Sequence, residues 1–267
     1  MKTIFITGAS SGIGKATAEY FAEKGWQVIA TMRNLTKGED LAKLPNVIIM
    51  PLDVTNSKQI HETCQEAISK YDIDVLFNNA GYGLMAPMEV ATEEEIHQLF
   101  NTDVIGTMLV TQEFIPYFKK RESGTILTTT SLAGIIALPL DGVYGAAKRA
   151  LTSMCESIYY ELKPFNVAVK VMIPGGTHTP FQVPHKDVTG YEKASENQRK
   201  YLLDGNAQFP LADEAVEVIY TAATDGKDKI HYPTDRVCQK LYDQYMNTNI
   251  EDFKIDFYHL LFETEKH

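Results

Sequence analysis

Tyr144 and Lys148, four residues apart, are the pair whose types and spacing can do chemistry. In a helix, residues four apart share a face, so the phenol and the ammonium can meet over one site. A tyrosine has a pKa of about 10, and a neighbouring cation favours the phenolate and brings that pKa closer to working pH. Ser131, thirteen residues before Tyr144, adds a hydroxyl that can hold a substrate oxygen. Together they predict proton transfer to or from an alcohol or carbonyl oxygen.

The same spacing occurs in ordinary amphipathic helices, so the elements around these residues matter. Residues 2–6 predict a buried strand that leads into a glycine-rich turn and then a helix. In that turn Gly8 can make the tight bend, Gly12 allows close approach and Gly14 lets the helix pack on the strand. Backbone N–H groups and the helix N-terminus can then face a phosphate. The spacing predicts a dinucleotide-binding turn, and it is not that of a Walker loop.

The second predicted strand, residues 27–31, is followed by Met32 and Arg33 and by no acid. In nucleotide-binding folds an acid at this place holds the ribose 2′-hydroxyl of NAD, whereas an arginine suits the 2′-phosphate of NADP. Arg33 therefore favours NADP(H), with NAD(H) as the alternative cofactor. An ordinary solvated loop arginine is the alternative interpretation.

Further motifs follow in order along the chain: Leu52, Asp53 and Val54; Asn78, Asn79, Ala80 and Gly81; Ser131; Tyr144 with Lys148; and Pro174 and Gly175 with Thr177 and Thr179. As an ordered set with the glycine turn, they resemble the short-chain dehydrogenase/reductase family from Thr3 to about Pro180. Taken singly, Asp53 reads equally well as a helix cap and Asn78 as a buried turn residue.

The resemblance implies a cofactor site whose residues come from five segments. It places Gly8, Ser10, Ser11, Gly12, Ile13 and Gly14 at the phosphates, Arg33 at the ribose phosphate, Asp53 and Val54 at the adenine, and Asn79, Ala80 and Gly81 along the cofactor. It also places Tyr144 and Lys148 beside the nicotinamide ribose and the loop from Pro174 through Gly175 and Thr177 to Thr179 at the nicotinamide.

One position departs from the family pattern. Relatives carry an asparagine three residues before a glycine in the next helix, where it helps a water chain reach the lysine. Aligned on Gly106, this position is Asp103, and Asn101 lies two residues too early. We expect Asp103 to anchor the Lys148 cation and to leave Tyr144 less acidic than in relatives with asparagine. The alternative is a surface aspartate with no such effect.

The fold expected is α/β, a single Rossmann-like, doubly wound parallel sheet with helices on both faces, because strand and helix patterns alternate. We expect one domain over residues 1–267, with strands near 2–6, 27–31, 46–51, 73–78, 124–129, 167–173 and 228–232 and a helix over Asn56 to Tyr71. The long segment 175–211 breaks this alternation and predicts a substrate lid, with a disordered insert or ordinary core packing as alternatives.

Apolar residues flank the motif loops and predict an apolar or bulky carbonyl substrate. They are Leu84, Met85, Pro87, Leu132, Ile135, Ile136, Leu138 and Leu140, with Phe181, Val183 and Phe209 from the lid. The apolar tail after Asp243 is expected to pack on its own domain or on a partner subunit. By resemblance, segments 93–118 and 145–163 predict a homodimer or homotetramer.

Composition narrows the class of protein. The formal net charge of −10 argues against a nucleic-acid partner, and the seven scattered histidines lack the close pairing of a zinc site. No apolar run of 18 residues is present, which predicts no membrane insertion. Three cysteines suit a reducing cytosol, so a cytoplasmic location is expected.

The predicted function is an NADP(H)-dependent oxidoreductase that interconverts a carbonyl and a secondary alcohol by hydride transfer. Tyr144 is the predicted general acid or base, Ser131 orients the oxygen, and Lys148 holds the ribose and lowers the tyrosine pKa. A non-catalytic dinucleotide sensor does not need all three residues. A sugar-nucleotide epimerase or dehydratase predicts a longer C-terminal part and another glycine spacing.

Overall fold

One parallel sheet organises the protein. The computed structural model describes residues 1–177, 186, 189–206 and 208–262 of the 267-residue chain. In this part seven strands pair in the order β3-β2-β1-β4-β5-β6-β7. Their bounds are β1 Thr3–Ile6, β2 Gln27–Met32, β3 Val47–Pro51, β4 Val75–Asn78, β5 Gly124–Thr129, β6 Val167–Ile173 and β7 His231–Pro233. The sheet carries apolar residues on both faces, as expected when helices cover a parallel sheet on both sides.

Helices cover both faces. They are α1 Gly12–Glu23, α2 Ser57–Lys70, α3 Glu93–Leu99, α4 Gly106–Arg121, α5 Gly142–Leu162, α6 Glu192–Leu203, α7 Ala212–Thr224, α8 Arg236–Met246 and α9 Ile250–Phe262. Helices α1 and α7 share one buried cluster with the sheet, and α2, α4, α5, α8 and α9 share the cluster on its other face. The predicted doubly wound fold is therefore confirmed. Among the described residues, no helix has the length and apolarity needed to cross a membrane.

The direction of winding reverses at the centre of the sheet. Strand β1 pairs with β2 on one side and with β4 on the other. In doubly wound sheets, ligands bind outside the carboxyl ends of the strands at this switch point. The residues that follow β1, β4 and β5 therefore meet at one edge, which is where the sequence motifs lie.

The last predicted strand starts later than expected. Residues 228–232 were predicted, whereas β7 is His231–Pro233. A side-chain turn explains the delay: the Asp225 carboxylate accepts the backbone N–H of Lys227 at 3.0 Å, and parallel pairing with β6 starts only at His231. Strand β4 likewise begins at Val75, two residues later than predicted.

The segment 175–211 is more regular than its sequence suggested, because it contains α6. Tyr201 and Leu202 of this helix pack against the main core, and the Tyr201 ring lies 4.9 Å from that of Phe257 in α9. The tail after Asp243 thus packs on its own domain through α9, with Phe253, Phe257 and Leu261 buried. Phe181 and Val183 lie outside the described residues.

The close packing of α4 against Val54, in the loop after β3, can be tested by measuring the stability of a variant. Gly106 begins α4, and a Cβ there would collide with the Val54 carbonyl oxygen and lie 2.9 Å from the Val54 side chain. Gly106→Ala should lower the free energy of unfolding by about 1–3 kcal/mol, the usual cost of overpacking. Urea unfolding measures it, with Gly142→Ala as control, since the nearest atom to a Cβ there is 3.8 Å away. Equal midpoints for the parent and Gly106→Ala would contradict this packing.

Candidate active site

The glycine turn after β1 has the backbone shape that the sequence predicted. Gly8 and Gly12 adopt φ values of +69° and +55°, a region that side chains disfavour. A Cβ on Gly14 would collide with the Asn79 amide and the Gly8 carbonyl oxygen. Ser11 is the N-cap of α1 but makes no side-chain cap hydrogen bond. The first N–H groups of α1 are therefore left uncapped by Ser11, as an anion site at a helix N-terminus requires.

The loop after β4 fixes this turn from the neighbouring strand. The Thr7 hydroxyl accepts the N–H groups of Asn79 and Ala80 at 2.9 and 3.0 Å. The Asn79 amide donates back to the carbonyl oxygens of Thr7 and Gly8 at 3.2 and 3.3 Å. The Asn79 side chain thus holds the glycine turn in its conformation. The sequence reasoning missed Thr7 as its partner, although its place directly after β1 was the available signal.

Asn78 and Asp53 both make hydrogen bonds with other residues of the protein. Asn78 is buried, as its alternative interpretation held, and its amide donates to the hydroxyl of Thr111 at 2.9 Å. The Asp53 carboxylate accepts the N–H and hydroxyl of Thr55 at 2.9 and 2.7 Å, so it closes a turn, while Asn56 caps α2.

Arg33 lies at the same edge of the sheet as the glycine turn. It directly follows β2, whose pairing with β1 brings the ends of the two strands together. Its side chain is exposed, whereas the Met32 side chain is buried. A guanidinium beside the turn can reach a phosphate on a bound nucleotide.

Tyr144 and Lys148 lie one turn apart on α5, as predicted. The Lys148 ammonium is 5.6 Å from the centre of the Tyr144 ring, within cation–π range. Ser131 follows β5, and its side chain makes a hydrogen bond with Tyr144. The structure thus brings together the three residues that the sequence singled out.

Lys148 and Asp103 form a buried ion pair. Their Nζ and Oδ2 atoms are 3.0 Å apart, and the two side chains are 3% and 0% exposed. The other carboxylate oxygen accepts the N–H of Tyr82 at 3.1 Å, and Lys148 also donates to the Thr129 carbonyl oxygen at 3.4 Å. A side chain on Gly81 would lie 2.8 Å from Asp103, so glycine is needed there. The alternative of a surface aspartate is wrong, and it is Asn101 that is exposed.

The backbone around Asp103 is irregular. Residues Phe100–Ile105 form a π-helical segment between α3 and α4. Such segments often occur at functional sites, because the wider turn redirects a side chain. No pattern of residue types signals this feature.

Burial, more than the lysine, controls the ionisation of Tyr144. Burial raises the pKa of Tyr144 above its usual value, and Lys148 opposes this rise without cancelling it. Lys148 thus lowers the pKa of Tyr144, as expected, but by less than burial raises it in the cofactor-free protein. Asp103 also raises the pKa of Tyr144, as expected. Burial opposes the Lys148 cation, but Asp103 and Tyr144 outweigh it and hold the pKa of Lys148 above its usual value. Burial raises the pKa of Asp103, while Lys148 and the hydrogen bond from the Tyr82 N–H lower it by less.

The loop after β6 joins the same edge. The N–H of Leu132 donates to the Pro174 carbonyl oxygen at 2.8 Å, which links this loop to the residue after Ser131. A Cβ on Gly175 would lie 3.3 Å from Asp235, and one on Gly176 would collide with the Phe209 ring. Thr177 is partly buried beside them. Thr179 lies outside the described residues.

Comparison with known proteins agrees with this geometry. A family model described as short chain dehydrogenase matches residues 2–188. The chain belongs to the short-chain dehydrogenase family. It is accordingly an oxidoreductase of that family, and the resemblance seen in the sequence is confirmed.

Relatives of this short-chain dehydrogenase cover most of its length. An uncharacterised oxidoreductase of Schizosaccharomyces pombe is 35% identical over 207 residues, or 76% of this chain and 88% of the relative. Human 17-beta-hydroxysteroid dehydrogenase type 1 is 35% identical over 254 residues, or 86% of this chain and 76% of the relative. The crystal structure of a short-chain dehydrogenase from Streptomyces avermitilis has a TM-score of 0.85 at 26% identity, covering 97% of this chain and 96% of the other.

The aspartate in place of the family asparagine generates a pH prediction. Asp103 raises the pKa of both Tyr144 and Lys148. Asp103→Asn removes that charge, so both pKa values fall and the phenolate that serves as base in oxidation forms at lower pH. The variant should stay active, with the basic limb of its pH–rate profile for alcohol oxidation moved to lower pH.

The control is Asn101→Ala, which changes an exposed residue in the same segment. Its profile should overlay that of the parent. If Asp103→Asn overlays the parent instead, the electrostatic role of Asp103 is refuted. Loss of activity in Asn101→Ala alone would show that the alignment is wrong by two residues.

Proposed function

We propose that this short-chain dehydrogenase is an NADP(H)-dependent enzyme that interconverts a carbonyl and a secondary alcohol, with Tyr144 as general acid or base. The observation that carries the proposal is the convergence of Ser131, Tyr144 and the Lys148–Asp103 pair at the switch point of the sheet. The human hydroxysteroid dehydrogenase among the relatives supports a carbonyl or alcohol substrate.

The residues at the sheet edge fit a dinucleotide. The glycine turn offers uncapped N–H groups of α1 for the phosphates, where a Cβ on Gly14 would collide with its neighbours. Arg33 would hold a 2′-phosphate, and Lys148 would bind the nicotinamide ribose. When bound, a nicotinamide dinucleotide supplies or accepts a hydride.

Each polar residue then has one task in proton transfer. In reduction, the Tyr144 hydroxyl donates its proton to the oxygen of the carbonyl, and in oxidation the phenolate takes the proton of the alcohol. Ser131 donates a hydrogen bond to the same oxygen and fixes its position. Lys148 stabilises the phenolate by its charge. Asp103 holds Lys148 in place as a positioning residue.

The apolar residues that the sequence predicts around the substrate include two groups with different surroundings. Leu132, Ile135 and Ile136 are packed in the main core, so they support the Ser131 loop from behind. Leu84 and Leu140 follow the motif loops, and the Ala86 N–H donates to the Leu140 carbonyl oxygen at 2.7 Å. An apolar pocket for the carbonyl substrate beside Leu84 and Leu140, with α6 as part of its lid, stays a prediction.

Self-association through α4 and α5 stays a prediction. Met108 on α4 and Tyr160 on α5 are exposed, with 39% and 74% of their surfaces accessible, and Ile105 lies beside α4 at 46%. Such exposed apolar side chains support a homodimer or homotetramer.

Removing the phenol oxygen tests the proposed chemistry. Tyr144→Phe should lower kcat for ketone reduction by about 10²–10⁴-fold, the usual contribution of general acid–base catalysis. NADPH binding should persist, because the ring is kept. Tyr160→Phe, a change on the exposed part of the same helix, is the matched control and should keep the parent rate. Full activity in Tyr144→Phe would refute the mechanism.

Cofactor preference rests on Arg33. We expect tighter binding of NADPH than of NADH, and Arg33→Ala should weaken NADPH selectively because a charge-assisted contact contributes about 1.5–3 kcal/mol. Fluorescence titration of both cofactors measures this, with Lys43→Ala as control, an exposed cation in the same connection between β2 and β3. Equal affinities of the unmodified protein for the two cofactors would show that the preference is absent.

A further inference from the structure

Asp141 is a carboxyl group in the active site that the mechanism does not use. It is the N-cap residue of α5, three residues before Tyr144, and its charge acts on the Tyr144 phenol. Its carboxylate makes no cap hydrogen bond to α5. Burial raises the pKa of Asp141 to about 7, a rise that a hydrogen bond from Gln198 opposes. This acid is therefore held in a costly environment without serving the helix.

Gln198 faces Asp141 from α6. Its Nε2 atom donates to the Asp141 carboxylate at 3.4 Å, and its side chain is only 2% exposed. Its carbonyl oxygen, Oε1, is buried and has no hydrogen-bond partner among the described residues. A buried acceptor without a donor is destabilising, so this arrangement needs an explanation.

The two side chains together offer hydrogen-bond acceptors and negative charge. No lysine, arginine or histidine in the described part of the chain forms an ion pair with Asp141. Lys148, one turn beyond Tyr144, is already paired with Asp103. The Asp141 charge does reach the reaction centre, because it raises the pKa of Tyr144. A complementary ligand group is a cation with several N–H donors.

We infer that Asp141 and Gln198 form a subsite for a primary ammonium group on the substrate, close to its reacting carbonyl. This inference rests on the proposed function and names the substrate class as amino ketones and the corresponding amino alcohols. Because Asp141 is the N-cap of α5 and its charge acts on Tyr144, we place the amine within two or three bonds of the carbonyl carbon, where it can approach Asp141 while the oxygen meets Tyr144. Gln198 Oε1 then gains the donor that it lacks.

A matched pair of ketones tests the inference with NADPH and the full protein. In 1-aminodecan-2-one a single CH₂ group separates the ammonium from the carbonyl carbon. Undecan-3-one is the same molecule with a methyl group in place of the ammonium. The parent should favour the amino ketone in kcat/KM by about 10-fold or more, as expected for a charge-assisted contact. The readout is the ratio of the two kcat/KM values.

Asp141→Asn keeps the shape of the side chain and removes its charge, so the ratio should fall by about 10-fold or more. Any effect on Tyr144 acts on both ketones and cancels in the ratio. Gln198→Leu should lower the ratio by a smaller factor. Asp213→Asn removes an exposed acid from the start of α7 and should keep the parent ratio.

Each of the following outcomes would overturn the inference. A parent that reduces both ketones equally well, or an Asp141→Asn variant with the parent ratio, refutes the subsite and leaves the proposed function intact. Equal losses for the two ketones in Asp141→Asn would assign Asp141 to positioning of Tyr144 alone. A parent that reduces neither ketone counts against the proposed function and removes the basis of the inference.

Discussion

The active site depends on a lysine cation that is buried against a carboxylate. Removing two charges from water costs several kcal/mol per ion, and the Lys148–Asp103 pair recovers this only through close contact and further hydrogen bonds. Those bonds come from the Tyr82 N–H and the Thr129 carbonyl oxygen. The pair thereby connects α5, the π-helical segment before α4, and the loops after β4 and β5. Whatever moves one of these elements alters the charge beside Tyr144.

This arrangement explains several neighbouring features of the sequence. Gly81 has no side chain because the Asp103 carboxylate occupies that space. Gly106 allows the start of α4 to pack closely against Val54, in the loop after β3. An asparagine at 103 would supply hydrogen bonds without charge. The aspartate instead fixes the lysine as a cation and makes the tyrosine harder to ionise.

The sequence predicted the parts of the site that local geometry determines. The spacing of Tyr144 and Lys148 is meaningful because a helix repeats every 3.6 residues, and the glycines of the first turn are informative because they adopt positive φ. Alternating strand and helix patterns predicted the doubly wound sheet. The position of Asp103 followed from alignment on one glycine.

What the sequence did not predict depends on burial and on contacts between distant segments. The net rise of the Tyr144 pKa is caused by burial, which spacing alone does not reveal, so the expected lowering by Lys148 is present but outweighed. The contact between Asp141 and Gln198 joins residues 57 positions apart. The π-helical segment at Phe100–Ile105 leaves no pattern in residue types. The most direct test concerns Asp103, which, paired with Lys148, raises the pKa of Tyr144 in addition to the rise caused by burial. An ultraviolet difference titration of the cofactor-free protein against Tyr144→Phe measures that ionisation directly. We expect a pKa above that of free tyrosine, and it should fall when Asp103 is replaced by asparagine. A pKa below that of free tyrosine, or one that Asp103→Asn leaves unchanged, would contradict this expectation.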